Sequence, residues 1–466
     1  MKHTKPLLGL APIGKFVFSH EDALVQKGKI EQLLKRLGVR YVNVDGVIPD
    51  GMVRDQKHVE PVVRHLASQG VDAVFMPHCN FGTEGACGMI GRKLGVPVLL
   101  WGPRDEAPLE DGTRLRDTLC GLFASSKVLR KLGVTFTYVE NCRVEDPQLA
   151  EGILDFVAAA SVVKSMCSMR IGQVGARIDF FWTCIVNESE LIERFGVEVV
   201  PMDLVSVIRD TKARAVAGRK TYVEELAELK KRVAVEGFDS DEPLIHNLAL
   251  RDELLHRADG LGLSAFAVES FMSICDELGG MVEFALAEVT ERGIPAATET
   301  DIHGAISSVL LQNASLELSP TFLADLTIRH PERDDAVLLW HCGFPLGLRH
   351  EDAAASIGTH WILPGIPPGS CHWRMKDGPI TVCRFDGETG DYHLVAGEGE
   401  TVDGPATQNV YCWLAVEDWP RWERTFINGP YIHHVACGYG RRAGVLQEAA
   451  RYIPGLRFES PDAREA

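Results

Sequence analysis

Apolar and polar positions along the chain follow two rhythms in turn. In the first two thirds, short continuous apolar runs alternate with stretches whose apolar residues recur every three to four positions. Strands are predicted at 7–11, 41–44, 71–76, 96–101 and 134–140, with helices at 21–37, 59–68, 86–94 and 113–132 between them. Alternation of this kind, with short Gly-, Asn- and Asp-bearing connections, predicts a doubly wound, Rossmann-like parallel sheet. A helix at 147–168 leads into a second α/β unit. Its strands are expected at 170–174, 180–186, 197–203 and 263–270, and its helices at 188–195, 222–235, in a long stretch before 263, and at 279–292. After His341 the texture changes. Alternating runs at 379–385, 392–399 and 409–416, punctuated by Gly, Pro and Trp, predict a β-rich barrel or sandwich that closes with a helix at 444–452 and a strand at 456–460. The fold class is thus α/β: two Rossmann-like α/β domains, 1–168 and 169–335, then a β-rich, barrel-like domain at 336–466.

Composition narrows the classes of partner. The 466 residues suffice for several cores. A formal charge of -17 without a dense basic patch argues against nucleic acid and anionic membranes. No window approaches the roughly 20 apolar residues of a membrane span, and Pro12 and Gly14 interrupt the N-terminal apolar run too early for a secretory signal. Twelve cysteines without CxxC pairs are expected to be reduced thiols of a cytoplasmic protein. The Gly-bearing loops at 9–14 and 80–88 match neither GxGxxG nor a P-loop, so they are expected to be strand-to-helix turns.

Candidate chemistry concentrates between residues 294 and 341. A short apolar run delivers Glu299 and Asp301, two apart and on one face if the strand continues. A helix is expected at 302–318. The run at 322–326 carries Asp325 in apolar company, and the run at 336–340 ends in His341. A buried carboxylate needs a metal, a cation or several donors, so Asp325 is either a metal ligand or half of a salt bridge. Asp301 is equally suited to cap the helix that begins at Ile302. Of the neighbours His433 and His434, only one can face a given site from a strand. His303, His350, His360 and His393 read as surface or satisfied core histidines. Two carboxylates and one or two imidazoles suit a divalent ion with open positions: manganese, cobalt or magnesium rather than a closed zinc site.

These motifs resemble the L-fucose isomerase and L-arabinose isomerase family, and the resemblance runs the length of the chain. TETDIHGA places Glu299 where that family has a metal-binding Glu, FLADLT places Asp325 at its second acidic ligand, and HHV places His434 at its C-terminal histidine. His341 in LLWHC is an arabinose-type feature, whereas Asp at 325 and the hairpin CHWRMKDGPITVCRF are fucose-type. The resemblance implies an aldose–ketose isomerase acting through an enediol on an open-chain pentose, 6-deoxyhexose or modified hexose. Glu299 and Asp325 would combine metal ligation with proton transfer, with Mn2+ as first choice and Mg2+ or Co2+ as alternatives. His434 would complete the metal shell, His341 would be a fourth ligand or a nearby donor, and Asp301 would orient the site. Glu269, Ser270, Trp373 and Arg374 are the candidate substrate contacts. A small-molecule sugar substrate and a homo-oligomer, a hexamer by resemblance, are also implied. Two other readings stay open: a non-catalytic sugar-binding relative, and a metal-dependent epimerase or lyase on a sugar acid, for which Arg374 and Lys376 leave room.

Overall fold

In the computed structural model, residues 5–271, 273–316, 319–361 and 365–462 are described. Residues 317–318, the expected end of the helix after Asp301, fall outside them. The chain divides into two units, His3–Lys164 and the residues from Ser165 onward.

In the first unit the apolar runs form β1 (Leu8–Leu10), β2 (Tyr41–Val42), β3 (Ala73–Pro77), β4 (Val98–Trp101) and β5 (Thr137–Tyr138). All pairings are parallel, in the order β2-β1-β3-β4-β5. That is the flavodoxin-like doubly wound order. Strands of a sheet covered on both faces read as continuous apolar runs, and every residue of β3 and β4 is buried.

The second unit begins with a smaller parallel sheet. Its strands are β6 (Arg170–Val174), β7 (Glu198–Met202), β9 (Ala265–Val268) and β10 (Ala296–Ala297), in the order β10-β9-β6-β7. The short β8 (Ala234–Val235) pairs elsewhere, with β13 (Ser356–Gly358). Several expectations change here. Residues 180–186 hold a 3-10 turn, Trp182–Cys184, rather than a strand, and Phe180, Trp182 and Ile185 are exposed. A helix at Leu204–Ala217, missing from the expected elements, is capped by Asp203, whose side chain accepts from the Ser206 amide at 2.8 Å. The expected helix at 279–292 is two helices, Ser273–Leu278 and Glu283–Glu291. Gly279 takes a left-handed φ of 74° between them, and a Cβ on Gly280 would meet the Pro368 carbonyl at 2.9 Å.

The remaining strands are β11 (Phe322–Arg329), β12 (Ala336–His341), β14 (Ser370–Arg374), β15 (Pro379–Glu388), β16 (Asp391–Val402), β17 (Val410–Ala415), β18 (His434–Tyr439) and β19 (Leu456–Glu459). Six of them close on themselves in the order β11-β12-β17-β16-β15-β18, and every pairing round the ring is antiparallel. Strand β11, placed in the central α/β domain by the sequence reading, is a barrel strand. Its pattern is short of the continuous apolar run expected of a covered parallel strand, because its second half is exposed. The barrel core holds Ala324, Leu339, Val382, Cys412, Leu414 and Val435. A helix absent from the expectation, Trp419–Asn428, lies between β17 and β18 and buries Trp422. All twelve cysteines are free, and only Cys120 and Cys167 are exposed. Among the described residues no helix is long and apolar enough to cross a membrane.

Candidate active site

The site begins where β10 ends. Glu299 and Thr300 take left-handed φ values of 59° and 55°, a conformation costly for any side chain and more so for a β-branched one. Neighbouring loops hold the turn. The Glu299 amide donates to Ser270 Oγ at 3.2 Å, the Thr300 amide to the Val268 carbonyl at 3.0 Å, and Thr300 Oγ1 to the Ala176 carbonyl at 3.1 Å. These partners lie at the carboxyl ends of β6 and β9, the side of a parallel sheet where ligands bind.

The turn has a geometric consequence. Glu299 and Asp301 do not share a strand face as expected; they reach the two opposite nitrogens of one imidazole. His434 Nδ1 lies 3.0 Å from Asp301 Oδ2, and His434 Nε2 lies 3.1 Å from Glu299 Oε2. Asp301 also caps the helix Ile302–Ala314, accepting from the Gly304 amide at 2.9 Å. A third carboxylate arrives from the barrel. Asp325 sits opposite His434 in the β11–β18 register, with Oδ1 3.7 Å from His434 Nε2. Glu299 thus comes from the parallel sheet, while Asp325 and His434 come from the barrel.

Asp325 Oδ1 and His434 Nε2 are buried without a hydrogen-bond partner among the described residues. The Glu299–His434 approach is close enough for an ion pair but outside hydrogen-bond geometry. Two carboxylates beside one imidazole nitrogen, with the Asp325 and His434 atoms unmatched, fit a divalent cation, since buried polar atoms otherwise find partners. Asp325 and His434 also belong, with His433, to one group of donor atoms close enough to share an ion; Cys184, Asp301 and His434 form another.

Charges follow from this crowding. Burial, with Glu299 and Asp301 adding to it, pushes the Asp325 carboxyl up to about 7 against the opposing effect of His434. Burial also works against the Glu299 anion, but His434, His341 and His433 outweigh it and leave its pKa lowered. For His434, burial disfavours the proton, yet the hydrogen bond to Asp301 and the neighbouring Cys184 and Glu299 side chains raise its pKa well above the ordinary value. Burial pushes His341 down to about 4, so its ring is neutral. His341 ends β12 with Nε2 3.3 Å from Thr298 Oγ1 and its ring 6.3 Å from that of His434. Like Glu299, it joins neither group of donor atoms.

The candidate substrate contacts separate. Ser270 is fully buried and supports Glu299; Glu269 accepts from the Ala176 amide at 3.1 Å. Trp373 is 3% exposed in the barrel core. Arg374 pairs with Asp403 at 3.2 Å and Asp377 at 3.4 Å. The structure thus engages Trp373 in packing and Arg374 in ion pairs. Two participants escaped sequence reasoning. Arg384, fully buried, grips Asp301 through both terminal nitrogens, and Cys184 stands beside His434. An arginine in the apolar run of β15 was a readable signal, of the same kind that singled out Asp325. Cys184 was hidden in a segment misread as a strand.

The pattern of the family described as fucose/sulfoquinovose isomerase, N-terminal domain, matches residues 9–167, and that described as L-fucose isomerase, C-terminal domain, matches residues 357–457. A sulfoquinovose isomerase from Priestia aryabhattai is 25% identical over 397 residues, 84% of each chain. One from Alkalicoccus urumqiensis is 26% identical over 68% of this chain and 69% of its own, and one from Clostridium sp. (strain MSTE9) is 25% identical over 75% of each. Among solved structures, a periplasmic solute-binding protein from Actinobacillus succinogenes 130z with bound D-allose covers 67% of this chain and 92% of its own at 12% identity. The TM-score is 0.18. With both domain patterns present in order over more than half of the chain, and with such relatives along most of its length, the chain belongs to the fucose isomerase-like family and is an aldose–ketose isomerase.

Proposed function

We propose that the chain is a metal-dependent isomerase of an anionic, sulfonated aldose, with sulfoquinovose as the first substrate to test, and that it works through an enediol. The observation that carries the metal reading is that His434 Nε2 has Glu299 Oε2 at 3.1 Å and Asp325 Oδ1 at 3.7 Å, with Nε2 and Oδ1 both buried and without a hydrogen bond among the described residues. The substrate reading rests on the similarity to sulfoquinovose isomerases.

Moving a proton between C1 and C2 of an open-chain sugar builds negative charge on two oxygens. A bound Mn2+, Mg2+ or Co2+ supplies Lewis-acid stabilisation of that charge. Glu299, Asp325 and His434 would hold the ion. Glu299 and Asp325, on opposite walls, take and return the proton, a role worth about 10²- to 10⁴-fold for a positioned carboxylate. The left-handed turn keeps Glu299 in place, and Ser270 anchors that turn through its hydroxyl. His341 presents a neutral ring at the same wall and serves as a hydrogen-bond partner for the sugar. A homo-oligomer is proposed as the working form, on the strength of the family resemblance.

The test is ketose formation from sulfoquinovose, L-fucose and L-arabinose, using metal-stripped protein with and without added Mn2+, and Glu299→Gln as the control. Mn2+-dependent turnover of sulfoquinovose that Glu299→Gln abolishes supports the whole reading. Turnover of a neutral sugar alone would remove the sulfonated substrate and keep the isomerase. Full activity in metal-free protein would remove the metal.

A further inference from the structure

Asp301 is surrounded by donors. Its Oδ1 accepts from the Gly304 amide at 2.9 Å and from Arg384 Nη2 at 3.1 Å; its Oδ2 accepts from Arg384 Nη1 and from His434 Nδ1 at 3.0 Å. A carboxylate offers about four lone-pair sites, and all are used. Asp301 therefore has none left for a cation, although it stands within reach of His434 and Cys184.

Arg384 is held with equal definition. Its Nε donates to Asp386 Oδ2 at 2.8 Å, and Asp386 Oδ1 lies 3.0 Å from His303 Nδ1. Both Arg384 and Asp301 are 0% exposed. The frame around them is rigid: the Phe385 amide donates to Ser307 Oγ at 2.8 Å, which ties β15 to the helix Ile302–Ala314. Strand β15 also runs beside β18, with Cys383 opposite Ala436. The strand that carries Arg384 is thus bonded both to the helix capped by Asp301 and to the strand carrying His434.

We propose that Asp301 and Arg384 are positioning residues for His434: Arg384 fixes the Asp301 carboxylate, and Asp301 accepts a hydrogen bond from Nδ1–H, so that Nε2 is presented towards Glu299 and Asp325. Because an ionised carboxylate can only accept, Nδ1 must donate, which settles the tautomer of the neutral ring. Partners of this kind orient an imidazole and raise its basicity, and their loss typically weakens metal affinity 10- to 100-fold. A planar fork bonded to two carboxylates is a task for arginine; a lysine ammonium cannot reproduce it. The inference rests on His434 being a metal ligand, as proposed above.

The test uses the full chain, metal-stripped, with Mn2+ titrated and the free ion read by electron paramagnetic resonance. Asp301→Asn and Arg384→Lys are compared with wild type, and circular dichroism identifies which variants are folded. A folded Asp301→Asn or Arg384→Lys protein is expected to bind Mn2+ roughly 10- to 100-fold more weakly. A folded variant within twofold of wild type overturns the inference. Should neither variant fold, Co2+-loaded wild type decides. The buried Nδ1 proton is expected as a slowly exchanging, hyperfine-shifted resonance in the proton spectrum, and its absence overturns the inference. Wild type that binds neither Mn2+ nor Co2+ defeats the metal reading itself, an outcome distinct from intact binding that the variants leave unchanged.

Discussion

Asp325 and His434 face each other across neighbouring antiparallel strands, and the pairing brings Oδ1 within 3.7 Å of Nε2. Neither atom makes a hydrogen bond among the described residues, so the pair is arranged for something between them rather than for each other. Asp325→Asn removes one anionic donor while keeping shape. Turnover of the active sugar should fall by about 10²- to 10⁴-fold, while the melting temperature at pH 8 stays level or rises, because a crowded carboxylate has been neutralised. A melting temperature that falls by many degrees would show that Asp325 is chiefly structural.

His341 and His434 should respond unequally to truncation. His434 has a carboxylate at each nitrogen, whereas His341 meets the Thr298 hydroxyl, Oγ1, at 3.3 Å. His434→Ala is expected to abolish Mn2+ binding at micromolar concentrations, and His341→Ala to change it less than about tenfold, the equivalent of ~1.4 kcal/mol. Equal losses in the two titrations would make His341 a ligand of the same rank.

The turn at Thr300 reverses the usual ranking of Ala over Gly. Thr300→Ala and Thr300→Gly both lose the hydrogen bond to the Ala176 carbonyl, but only Gly escapes the penalty of a Cβ at φ 55°. Thr300→Gly should therefore unfold at higher denaturant than Thr300→Ala, by about 1 kcal/mol.

Glu283 sets a pH dependence. It is fully buried at the start of the helix Glu283–Glu291, neither carboxylate oxygen meets a hydrogen-bond partner among the described residues, and burial pushes its pKa from 4.5 up to about 8. A folded pKa above the unfolded one means stability that is complete at low pH and is lost as pH rises towards 8, by about 1.4 kcal/mol per unit across that window. Glu283→Gln removes the titration. The variant should be more stable than wild type at pH 8, and the advantage should vanish near pH 5. An advantage of equal size at both values would assign the effect to packing instead of charge.

Much of the parallel architecture was legible because buried strands and amphipathic helices leave different periodicities. The runs that became β3, β4, β6 and β9 were identifiable as strands for that reason. The residues of the site were legible one by one, since a carboxylate such as Asp325 in an apolar run is conspicuous. Their relationship was not. Glu299 and Asp301 were read as neighbours on one face, and the left-handed turn that sends them to opposite sides of His434 leaves no glycine in the sequence to announce it. The assignment of β11 to the wrong sheet has a similar origin, because a strand's own pattern does not say which neighbours it pairs with. The short turn Trp182–Cys184 was mistaken for a strand because it is apolar, yet much of it is exposed.

Closure of the six-stranded ring bears on the two adjacent histidines. In an open sheet, β18 could slide by one residue, and every side chain would change face. His433, whose side chain is 55% exposed, would then stand where His434, at 2%, stands now. In a closed ring each strand is bonded on both sides, so such a slip would have to be matched by every other strand at once. The barrel is in this sense a combination lock. It seats one of two chemically identical imidazoles in the interior and leaves its neighbour at the rim, 3.9 Å from Asp325 Oδ1, so that a change of length in the connection before β18 cannot by itself exchange them.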